Sequence, residues 1–190
     1  QICGTSGYEE AAGLGLIAGI NAALYVQGKE PFILKRNESY IGVMIDDIVT
    51  KGVMDPYRLL SSRAEYRLLL RHDNADVRLT PYGYKLGLIS EERYKNFVKK
   101  NENVQKAIEI LSKIHLGSSK RVNGYLESKG YETLKAGVSG LEFYKRPEIH
   151  YEDVCELVPE LKEIELDYIG IAQFEVSVKY EGYIKRELNE

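Results

Sequence analysis

Apolar residues recur at helical spacing along most of the chain, and three segments keep the pattern over many positions. The first is an apolar run from about Tyr8 to Val26, directly after a glycine-bearing turn. In the second, between Ser39 and Gly52, apolar residues lie at i, i+3, i+4, i+7 and i+8, with serine as the N-cap and glycine as the stop. The third, from about Glu91 to Ile114, carries an apolar stripe on a charged segment. The spacing predicts three helices and a mostly α fold.

Shorter segments predict further helices. Thr80 and Pro81 have the residue types of an N-cap and a first helical position, which predicts a short helix toward Leu86. Short helices are also expected at 122–129, 139–144 and 151–157, with an amphipathic helix over 171–190. Two adjacent acids of the second long helix, Asp46 and Asp47, fall on its polar side and are interpreted as a solvated face.

The segment from Ser61 to Arg78 carries Arg63, Arg67 and Arg71 at successive spacings of four. An S-x-x-E capping box stands at its start, and a helix would place the three arginines on one face. Its first half also alternates polar and apolar residues, which is typical of a strand. We favour the helix, and the strand remains the alternative.

The three arginines need compensation if they share a helical face. Like charges at i,i+4 destabilise a helix by roughly 0.2 to 0.5 kcal/mol per pair, and neither Arg63 nor Arg67 has an acid three or four residues onward. Phosphates would compensate them, because guanidinium groups bind phosphate through two hydrogen bonds. Carboxylates from elsewhere in the fold would do the same, and most charge runs are simply solvated. The residues alone leave these roles open.

Composition describes a globular protein of one or two domains, with 190 residues, 44% of them hydrophobic and 29% charged. The net charge of -3 excludes a global positive field that would attract nucleic acid. Locally, residues 51–85 hold seven Lys or Arg against four Asp or Glu, whereas residues 148–167 hold eight acids against Lys162 alone. Any binding of nucleic acid must therefore be local.

Cys3 and Cys155 match no zinc or redox spacing, so a reduced cytoplasmic protein is expected, with Cys155 as a small core residue. The uncharged run over 11–26 is shorter than the roughly 20 residues that span a bilayer, and no signal peptide is visible, so no membrane association is expected. No catalytic triad, Walker loop or metal-ligand cluster is present, and no catalytic or metal residue is predicted. Because the chain opens with Gln1 on a glycine turn, we interpret it as a fragment.

Two features could bind an anionic or electron-rich ligand. The turn Gly4–Gly7 precedes a helix whose N-terminal N–H groups attract phosphate or a cofactor carbonyl, and Ser6 and Glu9 have capping-box spacing. Residue types alone favour a packed core helix with an ordinary cap. The loop over 117–121, with Lys120 and Arg121, suits a phosphate contact or bare solvent equally.

Three stretches together resemble the C-terminal part of the MnmG/GidA family: QICGTSGYEEAAGLGLIAGINAAL, SYIGVMIDDIVTKGVMDPYRLLSSRAEYRLLLRHDNADVRLT and VKYEGYIKRE. The similarity runs in register from Gln1 to about Glu187. The family consists of FAD-dependent enzymes that add a carboxymethylaminomethyl-type group to carbon 5 of the wobble uridine of certain tRNAs. The resemblance implies a homodimeric, cytoplasmic enzyme that works with an MnmE-type GTPase, NADH as reductant and a folate one-carbon donor. The catalytic residues are expected outside this chain.

The resemblance also implies three groups of binding residues. FAD contacts are expected from the turn and the start of the first helix, at Gln1, Gly4, Thr5, Ser6, Gly7, Tyr8 and Glu9. For tRNA, the resemblance implies contacts in the arginine-bearing stretch without assigning them to particular arginines. With the residue types added, the candidates are Arg58, Arg63, Arg67, Arg71, Lys120 and Arg121. Contacts to the partner protein are expected at Lys179, Tyr180, Tyr183, Lys185 and Arg186.

Residues 1–36 are thus predicted to be the C-terminal remnant of an α/β FAD-binding domain, and residues 37–190 a mostly helical domain that binds tRNA and the partner. A chain without the glycine loop of a Rossmann fold has no cradle for the FAD pyrophosphate. We therefore expect the fragment alone to be inactive and free of FAD. The alternative from another class is a non-enzymatic helical adaptor that binds proteins through its charged surfaces.

Overall fold

The structure is a computed structural model that describes residues 4, 5 and 7–189, and the predicted mostly α fold is confirmed. The α-helices are α1 (Tyr8–Val26), α2 (Tyr40–Thr50), α3 (Ala75–Lys85), α4 (Glu91–Lys113), α5 (Lys120–Ser128), α6 (Gly140–Tyr144), α7 (Tyr151–Leu157), α8 (Tyr168–Lys179) and α9 (Glu181–Asn189). Short 3-10 helices lie at Ser61–Arg63 and Pro159–Glu163. Two short strands, β1 (His115–Leu116) and β2 (Val138–Ser139), pair antiparallel, with His115 opposite Ser139.

The chain divides into two compact units between Tyr94 and Lys95. The first contains α1 to α3, and the second contains most of α4 and everything through α9. The boundary near residue 36 between a cofactor-domain remnant and a helical domain stays a prediction.

In the first unit, α1 and α2 pack closely at Gly13. A Cβ at Gly13 would lie 3.2 Å from Ile41 and 3.5 Å from Met44, so a side chain there would require Ile41 to move by a few tenths of an ångström. Asn21 holds the chain after α1 in place, because its side-chain amide donates to the Phe32 carbonyl (3.0 Å) and accepts from the Phe32 N–H (2.6 Å). This pair of bonds explains the polar residue within the apolar run of α1.

The second unit has a continuous apolar core built from α4 to α8. Phe143, Tyr144 and Phe174 are fully buried, and the rings of Tyr144 and Phe174 lie 5.0 Å apart. Asn123 bonds both backbone groups of Leu134, as Asn21 does with Phe32 in the first unit. Cys155 packs, partly buried, against this core, in keeping with its predicted role as a small core residue.

The three predicted long helices are confirmed. They could be predicted because their caps and apolar stripes lie within the helices themselves. The bounds of α1 match the apolar run, and α4 ends within one residue of the predicted Ile114. Ser39 caps α2 by accepting a hydrogen bond from Gly42 N–H (2.9 Å), and Gly52 has a positive φ of 68° just beyond the last turn. The predicted short helices correspond to α5, α6 and α7.

The helix predicted over Ser61–Arg78 is wrong, and so is the strand alternative. Only the 3-10 turn Ser61–Arg63 forms, and the chain then stays irregular up to Ala75. Carbonyl oxygens of this segment accept hydrogen bonds from arginine side chains. Arg71 donates to Leu68 O, and Arg36 donates to Arg63 O. A helix would need these same oxygens for its own N–H groups.

The structure also differs from the prediction in three smaller respects. α3 begins at Ala75 and not at Pro81, which lies inside it, because Asn74 precedes the first turn and its side chain accepts from Arg78 Nε (2.9 Å). The predicted terminal helix is divided at Tyr180 into α8 and α9. The strands β1 and β2 have two residues each and are too short to show a periodic pattern.

Candidate functional site

The glycine turn before α1 is shaped by close backbone contacts. Gly4 has a φ of 85°, and a Cβ there would lie 2.7 Å from Val53 Cγ2, so glycine is required on both grounds. Its carbonyl accepts a hydrogen bond from Tyr57 N–H (2.6 Å), and Thr5 pairs with Tyr57 in an isolated parallel bridge. Two residues of the predicted cofactor site, Gln1 and Ser6, lie outside the described residues, as does Cys3.

The N-terminus of α1 is closed on one side by a buried carboxylate that the sequence analysis did not identify. Gly7 is the N-cap, and a Cβ there would lie 1.7 Å from Glu10 Oε2. Glu10 Oε1 accepts from the N–H of Leu59 (3.0 Å), 49 residues away. This bond, then the hydrogen bond from its own N–H, and also the charge of Arg58, lower the pKa of the Glu10 carboxyl. The predicted Ser6–Glu9 capping box rests on Ser6 and so lies outside the described residues.

The rest of the turn fits the predicted contact with a cofactor. The Glu10 N–H of the first turn is bonded to its own carboxylate. The N–H groups that precede it have no intrahelical acceptor and can face a ligand at this end of the helix. Thr5 is buried, and its hydroxyl oxygen has no hydrogen-bond partner among the described residues. Tyr8 is 88% exposed, and Glu9 is exposed beside it. Donors, a buried hydroxyl and an open aromatic side chain therefore lie together at this end of α1.

Three arginines of the largely irregular segment between α2 and α3, residues 51–74 (the irregular segment), extend into solvent. Arg58 is exposed, and Arg63 lies with its guanidinium carbon 4.6 Å from the centre of the Tyr57 ring while its Nε donates to Arg58 O (2.8 Å). Arg67 is exposed, with no acidic partner among the residues that the structure describes. These three side chains keep most of their hydrogen-bond donors available.

Arg71 and Arg78 are instead used within the fold. Arg71 forms an ion pair with Asp73 (3.0 Å), and both side chains are mostly buried. Arg78 donates to Arg71 O (2.9 Å) and to Glu38 O, and burial first, then the charge of Arg71, lowers its pKa. The sequence spacing therefore grouped Arg71 with Arg63 and Arg67, but the structure separates them. A contact between Arg71 and RNA stays a prediction.

A buried carboxylate lies at the centre of the first unit. Asp47 is 2% exposed and accepts from Arg36 (2.7 Å), Lys51 (2.7 Å) and Tyr57 OH (2.9 Å). Burial alone would raise the pKa of its carboxyl, but these three donors outweigh burial and lower it to about 2. For Tyr57, burial and the hydrogen bond to Asp47 raise the pKa to about 12.

The solvated face predicted for the Asp46–Asp47 pair is thus wrong for Asp47, because Arg36 and Tyr57 come from outside α2 to meet it. Arg36 also contacts Asp46 (2.9 Å) and Glu65 (2.7 Å), and so joins α2 to the irregular segment. Among the described residues no group of three His, Cys, Asp or Glu side chains could hold a metal ion.

The predicted tRNA-binding and partner-binding residues of the second unit differ in whether their side chains are free to contact a ligand. Lys120 is exposed, and Arg121 donates to Glu156 O (3.1 Å) at the surface. Lys179 is engaged internally: its side chain is 14% exposed, donates to Ile149 O (2.9 Å), pairs with Glu175 (2.9 Å) and lies over the Tyr144 ring.

The surface of α9 is more open. Tyr180, just before it, and Tyr183 are about half exposed, at 47% and 56%. Arg186 lies 5.0 Å from the centre of the Tyr183 ring, and Lys185 pairs with Glu181 one turn earlier. Across the described part of the chain, no helix has the length and apolar character needed to cross a bilayer.

Comparison with known proteins gives a consistent result over the whole chain. Residues 91–188 match the family model of the tRNA modifying enzyme MnmG/GidA C-terminal helical domain, and residues 1–30 match that of glucose inhibited division protein A. The tRNA uridine 5-carboxymethylaminomethyl modification enzyme MnmG of Enterococcus faecalis is 55% identical over 99% of this chain, and that of Lacticaseibacillus paracasei is 56% identical over 98%.

Solved structures agree with these sequence matches. Aquifex aeolicus GidA, in its form II crystal, superposes on 98% of this chain with a TM-score of 0.80 and 40% identity, and the chain covers 28% of that protein. The form I crystal gives a TM-score of 0.79 with 42% identity. The chain spans 30% and 29% of the length of the two curated relatives named above.

Proposed function

Since the chain belongs to the MnmG/GidA family of tRNA-modifying enzymes, we propose that it is the C-terminal part of an enzyme that modifies tRNA. The proposed reaction adds a carboxymethylaminomethyl-type group to carbon 5 of the wobble uridine. High identity along nearly the whole chain supports this proposal, because both units and the segments joining their helices are shared with relatives named for uridine modification. The enzyme would act in the cytoplasm as a homodimer.

In that enzyme the glycine turn and the start of α1 would contribute to binding FAD. Thr5 would offer its buried hydroxyl, and the first N–H groups of α1 would face an electron-rich edge of the cofactor. FAD would supply the redox chemistry, with NADH as reductant and a folate as one-carbon donor. The residues of this chain would bind and orient the cofactor, and the catalytic residues would lie elsewhere.

The irregular segment would bind tRNA through its backbone phosphates. The observation that carries this proposal is the exposure of Arg58, Arg63 and Arg67, which lie within ten residues and keep free donors while nearby arginines are used internally. Guanidinium groups suit phosphate because they can donate two parallel hydrogen bonds. Lys120 and Arg121 of the second unit are further candidates for phosphate contacts.

The test is the affinity of the chain for a cognate tRNA at two salt concentrations, for the unchanged protein and for the variant Arg58→Ala/Arg63→Ala/Arg67→Ala. Binding through phosphates should weaken with salt, with a log-log slope of roughly 0.7 to 0.9 per phosphate neutralised. We expect the triple variant to bind at least tenfold more weakly and to show a shallower salt slope.

A matched control removes the same charge at other exposed positions, as Arg93→Ala/Lys106→Ala/Lys135→Ala. If both variants lose affinity equally, the interaction follows net charge and the assignment to the arginine segment is wrong. No binding of tRNA at either salt concentration would instead favour the adaptor alternative, in which the charged surfaces contact proteins.

The GTPase partner would dock on α9. Tyr183 and Arg186 form an exposed aromatic and cationic surface there, and aromatic residues and arginine are enriched at protein interfaces. Tyr180 and Lys185 lie beside them. Lys179 would act indirectly by fixing the end of α8, because its side chain is already bonded to Ile149 O.

A further inference from the structure

The segment Tyr57–Leu59 is hydrogen-bonded at two points to the part of the chain that precedes and begins α1. The Tyr57 N–H donates to the Gly4 carbonyl (2.6 Å), and the Leu59 N–H donates to the Glu10 carboxylate (3.0 Å). Successive side chains of an extended segment alternate in direction. Arg58 lies between the two bonded residues and is exposed. The same three residues therefore contact the glycine turn and present a cation to solvent.

Glu10 is the side chain that makes the second of these bonds. It is 7% exposed although it belongs to the first turn of a largely exposed helix. Its carboxylate lies against Gly7, at a place that any Cβ on residue 7 would occupy. The missing side chain of Gly7 thus allows Glu10 to reach Leu59, and the N–H it holds belongs to the arginine-bearing segment.

The other end of this segment is anchored through Tyr57. Its ring is buried at 3% exposure, its hydroxyl donates to Asp47 (2.9 Å), and Arg63 lies over its face at 4.6 Å. Arg63 in turn donates to Arg58 O (2.8 Å). Arg58, Arg63 and the backbone that meets the glycine turn therefore form one bonded cluster.

We propose that Glu10 is a positioning residue that couples the binding of flavin at the glycine turn to the binding of RNA phosphate at Arg58 and Arg63. The inference rests on the proposed function. Phosphate bound at Arg58 and Arg63 fixes Tyr57–Leu59 and, through Glu10, the start of α1, where the buried hydroxyl of Thr5 lies without a partner among the described residues. The entropic cost of ordering this region is then shared by the two ligands. Each ligand must raise the affinity for the other by the same factor.

The experiment measures this factor in the intact enzyme that contains the chain. The dissociation constant of FAD is determined with and without a cognate tRNA, and that of the tRNA with and without FAD. We expect a factor of about five or more in both directions, and a factor near one for Glu10→Ala. Hydrogen exchange of the amides at the start of α1 should slow on tRNA binding in the unchanged enzyme and not in this variant.

Three further variants make the result specific to the Glu10–Leu59 bond. Glu10→Gln keeps an oxygen acceptor for Leu59 and should retain most of the coupling. Asp55→Ala removes an exposed acid near the same segment and should leave the factor unchanged. Arg58→Ala removes an exposed side chain and leaves the Leu59–Glu10 hydrogen bond in place, so it tests the coupling even if Glu10→Ala does not fold, and it should reduce the factor.

The possible failures are distinguishable. If the unchanged enzyme binds both ligands with a factor of one, or if Glu10→Ala and Arg58→Ala keep the full factor, the coupling is overturned and the proposed function stands. If the unchanged enzyme binds no FAD or no tRNA, the proposed function fails, and the coupling fails with it.

Discussion

Asp47 is a carboxylate that the fold keeps ionised in a buried position. Its pKa is about 2, against about 4 in an unfolded chain, because Lys51, Arg36 and Tyr57 donate to it. A depressed pKa in the folded state stabilises the fold fully above pH 4, and this contribution is lost as the pH falls toward 2. Replacing Asp47 with Asn should lower the free energy of unfolding at pH 7 by about 1 to 3 kcal/mol.

Urea denaturation from pH 7 down to pH 2.5 tests this prediction. The difference between the unchanged protein and Asp47→Asn should shrink below pH 4, because Asp47 of the unfolded chain then takes up a proton while the folded carboxylate stays charged until about pH 2. Asp55→Asn is the control, since Asp55 is exposed and should change stability by no more than about 0.5 kcal/mol. A difference that stays constant over the whole pH range would show that Asp47 acts by its shape and not by its charge.

Two glycines at helical positions in the second unit have opposite surroundings. Gly140 begins α6, and a Cβ there would lie 2.7 Å from Leu111 O and 3.0 Å from Leu111 Cδ2. Gly124 lies inside α5, where a Cβ would meet nothing within 4 Å. Gly140→Ala should therefore destabilise the protein by about 1 to 3 kcal/mol, whereas Gly124→Ala should stabilise it by about 0.5 to 1 kcal/mol.

Thermal and urea unfolding of the two variants measures both effects in one background. Because each change adds the same methyl group at a helical position, the opposite signs would isolate the close approach of α6 to α4. Two shifts of the same sign would mean that helix propensity, and not packing, decides the effect at Gly140.

The same contrast between local and distant causes decides which elements the sequence could predict. Caps and apolar stripes lie within the elements they specify, so α1, α2 and α4 were predicted with nearly correct bounds. The irregular chain after Arg63 and the start of α3 are in contact with distant residues: Arg36, 27 residues earlier, donates to Arg63 O, and Arg78 donates to Glu38 O, 40 residues earlier. Neither influence shows in a local pattern.

The candidate site shows the same limit. Residue types and family resemblance placed the glycine turn and the arginines, but no sequence pattern pairs Glu10 with Leu59, 49 residues away. An acid in a first helical turn is ordinary, and only the geometry shows that this one is buried against Gly7. A spacing of four places side chains on one face only in a helix. Because the segment is not helical, the spacing does not bring Arg71 together with Arg63 and Arg67.

At the scale of the whole molecule, the two units differ in how much apolar surface each buries. The second unit has a core that draws residues from α4 to α8, including fully buried Leu111, Phe143 and Phe174. In the first unit a buried cluster contains Val43, Ala64 and Leu70, while much of α1 is exposed. Because burial of apolar surface is the main favourable term in folding, the units should differ in autonomous stability.

We therefore expect residues 91–189, which keep α4 whole, to fold alone, and residues 1–90 to unfold without a sharp transition. Residues 91–189 should give a helical circular-dichroism signal that melts cooperatively. Hydrogen exchange of the Leu111 and Phe174 amides in this piece should be slow. The amides of residues 1–90 should be only weakly protected from hydrogen exchange, even in α2, because Asp47 and its partners add polar bonds to a small apolar core. A cooperative transition of equal sharpness in residues 1–90 would contradict this view and would show that its polar network stabilises the unit without a large core.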